Sequence, residues 1–175
     1  MEKEIALIAA VAIPSVIIFV VAQLIAKTTI QKETIKCEGE VAKEKIGIMF
    51  PLQLQAYERL CMLLERISPD NLVIRKNAAG LTVMDFQQIL FAEINNEYTH
   101  NISQQVYVST KAWANVKKAV ELLKMNINKS AAELRGQEVA VSTDLAKKIL
   151  ENAMREQNDP IQEALTLLRK EVKML

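Results

Sequence analysis

The chain has 175 residues, of which 50% are hydrophobic and 25% are charged, with only 4 Gly and 4 Pro. This balance excludes a disordered or fibrous protein, and the scarcity of the two main helix breakers favours long helices. A formal net charge of +1 and an aromatic content of 5% argue against a nucleic-acid-binding protein. The two cysteines, Cys37 and Cys61, form no paired motif, which predicts free thiols in a reducing compartment.

The first element is a long uncharged run from Ile5 to Ala26. A helix needs about 20 apolar residues to cross the hydrocarbon core of a bilayer. The run therefore predicts a transmembrane anchor over residues 1–27, kinked at Pro14. A cleaved signal peptide fits less well, because Met1–Glu4 has no basic excess and the run exceeds the roughly 7–15 apolar residues of such a peptide.

Basic residues flank the predicted span unequally. Lys3 precedes it, and five lysines follow it: Lys27, Lys32, Lys36, Lys43 and Lys45. Basic residues collect on the cytoplasmic side of a membrane protein. We therefore expect a single-pass protein of the inner (cytoplasmic) membrane with a cytoplasmic C-terminal domain. Residues 28–49 are predicted to be a juxtamembrane connector, whose interleaved glutamates weaken any attraction to anionic lipid.

Residues 50–175 predict an all-α soluble domain, a compact bundle of about five helices with short extended links. The first helix is predicted to begin at Pro51, since proline suits the first turn. The stretch Leu72–Lys76 reads as a short extended segment. Thr82 is a predicted N-cap, supported by Asp85 three residues later, and its helix should run to about Ser103.

The second half of the domain predicts three more helices. Gln104–Val108 reads as extended or irregular, and Ser109 as the N-cap of a helix with a seam of apolar residues: Trp113, Val116, Val120, Leu123 and Ile127. Ser142 or Thr143 is the predicted cap of the next helix. Asp159 and Pro160 suit the start of the last helix. That helix carries a second apolar seam: Ile161, Leu165, Leu168, Val172 and Leu175.

Three segments carry a resemblance to known proteins. They are Phe50–Leu60, with the sequence FPLQLQAYERL, Asn101–Ser109, with the sequence NISQQVYVS, and the pair Ala112–Trp113. They resemble an uncharacterised family of small, single-span, membrane-anchored helical proteins from Bacteroidetes bacteria. The resemblance spans nearly the whole chain. It implies an N-terminal span and a helical domain, and it implies no catalytic residues.

An unusual group of polar residues lies around the end of the second predicted helix. Its candidate members, with the neighbouring tryptophan, are Glu93, Glu97, His100, Asn101, Gln104, Gln105, Tyr107 and Trp113. Asparagine is unfavourable inside helices because its side chain competes for backbone hydrogen bonds. The group could be a buried polar network, a partner- or ligand-facing surface, or a helix end that unwinds. Trp113 fits a core position better than a binding platform.

The chemistry-bearing residues are too few for an identifiable active site. The pair Glu97 and His100 resembles half of a di-metal site, but the chain has one histidine and a monomer cannot supply the second pair. Cys61 with His100 would be the minimum for thiol catalysis. Cys61 lies in an apolar stretch, where cysteine acts as a small hydrophobic residue. No catalytic residue, metal or cofactor is therefore predicted.

These observations favour a non-enzymatic function. The sequence predicts a membrane-tethered helical interaction or scaffold domain that binds a protein partner and no nucleic acid. Membrane contact is assigned to Ile5–Ala26. The alternative is a ligand-binding or enzymatic domain that uses the region of Glu97, His100 and Tyr107. Neither the identity of the partner nor the oligomeric state follows from the sequence.

Overall fold

The computed structural model describes residues 23, 27, 43–76, 80–136, 140–156 and 158–175. The chain divides into two compact units, Met1–Met49 and Phe50–Leu175. In the first unit the described residues are all helical. In the second unit the described residues form six α-helices and one 3-10 helix, without a strand. The all-α class predicted from the sequence is thus confirmed.

The transmembrane anchor predicted over residues 1–27 lies outside the described residues, apart from Gln23 and Lys27. In the part of the chain that the structure describes, no helix is both long and apolar enough to cross a bilayer.

In the second unit α1 comprises residues 50–67 and continues a helix that is described from residue 43; it is followed by α2, Pro69–Lys76. The prediction of an extended segment at Leu72–Lys76 is wrong. Ser68 and Pro69 start a new helix, in which the Ser68 carbonyl accepts a hydrogen bond from the Leu72 N–H at 2.8 Å. Leu72 and Val73 are buried on one side of this helix, so tertiary packing outweighs their modest helix propensity. The bundle therefore has six helices where about five were predicted.

Proline does not begin α1, because residues 43–50 are already helical before Pro51. Helix α3 spans Val83–Asn101 and starts at the predicted N-cap, where Thr82 Oγ1 accepts from the Asp85 N–H at 3.1 Å. A 3-10 helix, Ile102–Val106, follows directly. Gln104–Val108 was predicted to be extended or irregular. Residues 104–106 instead belong to this 3-10 helix, whereas Tyr107 and Val108 form a turn and a bend.

Helix α4, Thr110–Glu133, is capped by Ser109, whose Oγ accepts from the Ala112 N–H at 2.9 Å. Helix α5, Ser142–Arg155, has Val141 as its N-cap. Neither Ser142 nor Thr143 caps it. The Asp144 carboxylate accepts from the Val141 N–H at 2.9 Å, which supplies the missing capping bond from inside the first turn.

Helix α6, Pro160–Val172, begins at the predicted cap, with Asp159 Oδ1 accepting from the Ile161 N–H at 2.8 Å. All five residues of the α4 seam are buried. The α6 seam is buried at Ile161, Leu165 and Leu168. Leu175 is exposed, contrary to prediction, because the helix ends at Val172.

One core joins these elements. Helix α4 packs against α3, α5 and α6, while α2 packs against α3 and α5. The buried side of α1 belongs to the same core through Leu60, Leu63 and Ile67. The residue before α3 and the residue before α5, Thr82 and Val141, form an isolated antiparallel bridge that ties the two helix starts together.

Candidate functional site

The predicted polar group does not form a single network among the described residues. Its members differ in burial and in the elements that they face. Asn101 and Trp113 are buried, Glu93, Glu97, Gln104 and Tyr107 are partly exposed, and His100 and Gln105 are exposed.

The two glutamates of the group belong to a row of ion pairs along α3. Glu93 pairs with Arg75 at 3.0 Å and with Lys76 at 2.8 Å, both from α2. Glu97 pairs with Arg66 of α1 at 2.6 Å. The hydrogen bond from Lys76 lowers the pKa of the Glu93 carboxyl, with partial burial acting in the opposite direction. Glu93 and Glu97 are thus both matched by basic residues of the two preceding helices.

The row stops where α1 and α3 open into a groove of about 380 Å³. We call it the α1–α3 groove; its lining is Gln55, Glu58, Arg59, Met62, Leu63, Arg66, Glu97, His100 and Asn101. Arg59 lies seven residues before Arg66, on the same face of α1. Where a further acidic residue of α3 would continue the row, α3 carries His100 and Asn101. The side chains of Arg59 and His100 make no ion pair or hydrogen bond with any described residue.

Asn101 is the buried polar member of this groove, with 6% of its surface exposed. Its Nδ2 donates to the Glu97 carbonyl at 2.9 Å. Its Oδ1 accepts no hydrogen bond from the residues that the structure describes. A buried amide oxygen without a donor is unfavourable, and such groups are uncommon in folded proteins. The groove therefore combines an unpaired guanidinium with an unfilled acceptor.

Tyr107 lines a different cavity, of about 440 Å³, together with Tyr57, Ser109 and Glu171. The Tyr57 hydroxyl donates to Glu171 Oε2 at 2.7 Å, and Ser109 Oγ donates to Glu171 Oε1 at 2.9 Å. Burial, and then the hydrogen bond to Glu171, raise the pKa of Tyr57. Glu97 and His100 share the α1–α3 groove, whereas Tyr107 is not part of its lining.

Trp113 packs in the core and stacks on Tyr98, with ring centroids 5.6 Å apart and an interplanar angle of 21°. Offset stacking of this kind adds to the stabilisation from burial.

A model of one protein family matches residues 3–175 of the chain. The chain belongs to the Family of unknown function (DUF7935). This is consistent with the resemblance to an uncharacterised family. No curated protein and no solved structure matches the chain.

The described residues of this DUF7935 chain include no group of three or more His, Cys, Asp or Glu side chains that could hold a metal ion. Glu97 is instead engaged by Arg66. Burial raises the pKa of the Cys61 thiol, which disfavours the reactive thiolate. Cys61 is also absent from the lining of the groove that holds His100.

Two features of the DUF7935 domain were missed from the sequence. One is Arg59, whose lack of a partner depends on the register between α1 and α3. The other is a buried chain of hydrogen bonds between α4 and α5, made by Asn126, Ser130 and Asn152. A signal for the second was present, because Asn126 and Ser130 lie four residues apart within the apolar face of α4.

Proposed function

We propose that this DUF7935 protein is a membrane-tethered interaction domain that binds a segment of a partner protein in the α1–α3 groove. The observation that carries the proposal is that two groups in that groove, the Arg59 guanidinium and the Asn101 Oδ1, have no partner among the residues that the structure describes. The neighbouring charges of α3 are all paired with α1 and α2. A ligand that supplies an anion and an N–H donor would complete the row.

A peptide segment with one acidic residue supplies both groups. Its carboxylate can bind the planar Arg59 guanidinium, with His100 beside it, and a backbone N–H can donate to Asn101 Oδ1. Met62 is 54% exposed in the groove and the buried Leu63 also lines it. Methionine adapts its shape to varied apolar partners. Glu58 also lines the groove. Its carboxylate would repel a ligand with several consecutive acidic residues. The groove therefore favours a segment with a single Asp or Glu beside an apolar residue.

The membrane part of the proposal depends on the sequence. The uncharged run Ile5–Ala26 would anchor the chain in the inner membrane, with the lysines after Ala26 holding the domain on the cytoplasmic side. Tethering raises the effective concentration of the domain near a partner at the same membrane. A groove of modest affinity is then sufficient.

Carbonate extraction tests the anchor. The full chain should stay in the membrane pellet, because a spanning helix is held by its apolar surface and not by charge. A variant in which Val16 and Val20 are both changed to Arg should lose membrane insertion, since each central Arg costs about 2.5–3.5 kcal/mol. Release of the unmodified chain by carbonate would contradict the anchor.

Topology has its own test, with a single probe cysteine at the exposed position Lys173. A membrane-impermeant thiol reagent should label it only after the cells are opened. Equal labelling in intact cells would place the domain on the other side.

The groove is tested by selecting from a displayed random peptide library on the full chain in detergent micelles. The selected peptides should be enriched in a single acidic residue next to an apolar one. Arg59→Glu should abolish their enrichment, because it places a like charge opposite the acid. The matched control is Arg135→Glu, which reverses an exposed arginine at the end of α4, outside the groove lining, and should leave the enrichment intact. Enrichment of the same peptides by the Arg59→Glu variant would refute the groove as the binding site.

A further inference from the structure

A second surface of the domain exposes large apolar side chains at one end of the bundle. We call it the apolar end and define it by Phe50, Leu54, Val106, Met174 and Leu175. Val106 is 74% exposed and Met174 is 68% exposed. Single exposed apolar residues are ordinary, but a contiguous group usually marks a contact surface.

The cavity beside Tyr57 brings together Val106, Met174 and Leu175. Its lining includes Gln53 of α1, Val106 at the end of the 3-10 helix, and Met174 and Leu175 just after α6. Phe50 lies three residues before Gln53 and seven before Tyr57, which places it on the same stripe of α1. Leu54 lies four residues after Phe50, which makes the two side chains neighbours on the helix surface, and it is also exposed.

The charges near the apolar end suit a lipid surface. The one side-chain carboxylate in the cavity lining is that of Glu171, and both of its oxygens accept hydrogen bonds, from Tyr57 and Ser109. Lys170 and Lys173 lie within one helical turn of Met174, and both are exposed. Basic side chains around exposed apolar residues are typical of surfaces that lie in the headgroup region of a bilayer.

The apolar end is also where the chain enters the domain. The second unit begins at Phe50 within a helix that is described from residue 43, and residues 27–49 join it to the uncharged run that ends at Ala26. We propose that the apolar end lies on the bilayer, with Val106 and Met174 inserted among the lipid headgroups. This proposal rests on the anchor of the proposed function. It adds an orientation that leaves the rest of the domain facing the cytoplasm.

The opposite end of α1 provides a matched control surface. Ile74 is 77% exposed and Met154 is 87% exposed there. Their cavities are lined by charged residues, namely Glu65, Arg66, Asp70, Arg75 and Asp159. Glu65 is 15 residues from Phe50 along α1, which corresponds to about 22 Å. Met154 should therefore stay in water when Val106 meets the lipid.

The test places an environment-sensitive fluorophore at one cysteine in the full chain, after Cys37→Ser and Cys61→Ala, in vesicles of phosphatidylcholine and phosphatidylglycerol. Label positions are Val106 (Val106→Cys), Met154 (Met154→Cys) and, within the uncharged run, Val16 (Val16→Cys). Brominated lipids quench a fluorophore only on contact. Quenching should be strong at Val16, clear at Val106 and several-fold weaker at Met154. Circular dichroism of each variant confirms that its helices are intact.

The outcomes separate the two proposals. Quenching at Val16 with equal quenching at Val106 and Met154 would overturn the proposal that the apolar end contacts lipid. It would leave the anchor proposal intact. Absence of quenching at Val16 would overturn the anchor, whereas quenching at Val106 would still support lipid contact. A blue shift at Val106 without quenching by brominated lipid would mean that protein covers the apolar end. That result would also overturn the proposal.

Discussion

The domain buries amide side chains in two regions, and these regions differ in how completely the amides are hydrogen-bonded. Between α4 and α5, Asn152 Nδ2 donates to Ser130 Oγ at 3.0 Å, and Ser130 Oγ donates to Asn126 Oδ1 at 3.1 Å. Asn126 Nδ2 reaches the Ile149 carbonyl at 3.3 Å. In the α1–α3 groove, Asn101 is as well buried, but its Oδ1 has no donor in the described part of the chain.

The difference separates a structural amide from a candidate binding amide. A connected network of buried polar groups fixes one packing arrangement, because any other arrangement leaves a member unpaired. The α4–α5 junction fits this description. Asn101 lines an open groove, and its Oδ1 belongs to no such network among the described residues. Local departures from the usual pairing rules occur at functional sites, where a ligand completes the pairing.

The largest losses in the free energy of unfolding are expected for substitutions in the core. These losses are the reference for the effects in both amide regions. Leu123→Ala and Leu168→Ala should each lower the free energy of unfolding by about 2–5 kcal/mol, since both side chains are buried and their removal leaves a cavity. Urea denaturation of the full chain in micelles measures the loss. Leu175→Ala is the control, with a change within about 0.5 kcal/mol because Leu175 is 47% exposed. Equal losses at Leu175 and Leu168 would show that the α6 seam extends beyond Val172.

A smaller effect should distinguish the two amide regions directly. Asn152→Ala removes one partner from a buried network and should cost about 1–3 kcal/mol. Asn101→Ala removes one hydrogen bond to a helix carbonyl together with the unpaired Oδ1, so its effect should be within about 0.5 kcal/mol. The same denaturation experiment compares them. A greater loss for Asn101→Ala than for Asn152→Ala would reverse the assignment of the two regions.

The smallest effect concerns the paired acids of α3 and depends on pH. Because the folded-state pKa of Glu93 is lowered, its ion pair stabilises the fold above the pKa of an unfolded glutamate. That contribution is lost as the pH falls through the lowered value. The stability difference between the wild type and Glu93→Gln should therefore be largest near neutral pH and shrink below about pH 4. Chemical denaturation at several pH values measures it, and a pH-independent difference would exclude the ion pair as its source.

Local sequence signals predicted much of the fold. Thr82, Ser109 and Asp159 are N-caps because their side-chain oxygens can reach the first free N–H groups of a helix, which is a property of neighbouring residues. The α4 seam follows from helical spacing alone. Leu72–Lys76 was misread because a short β-branched stretch reads as a strand, and its helical state depends on packing against α3 and α5.

The candidate site was only partly predictable, for a related reason. Asn101 and His100 were singled out by their composition, which is a local property. Arg59 was missed because an exposed arginine is ordinary in sequence, and its lack of a partner arises only when α1 meets α3. The sequence suggested that Tyr107, Glu97 and His100 share one surface. The 3-10 helix that precedes Tyr107 instead places it in the cavity beside Tyr57.

We propose that Arg59 binds an acidic residue of a partner segment, and a charge-reversal cycle tests this claim most directly. The affinity of a selected peptide should be measured for the wild type and for Arg59→Glu, each with the original peptide and with its acidic residue changed to Arg. Each single reversal should weaken binding about tenfold or more, which is about 1.4 kcal/mol. The double reversal should restore most of the affinity, since the pair is re-formed with opposite signs. A double reversal as weak as the two single effects combined would contradict the claim.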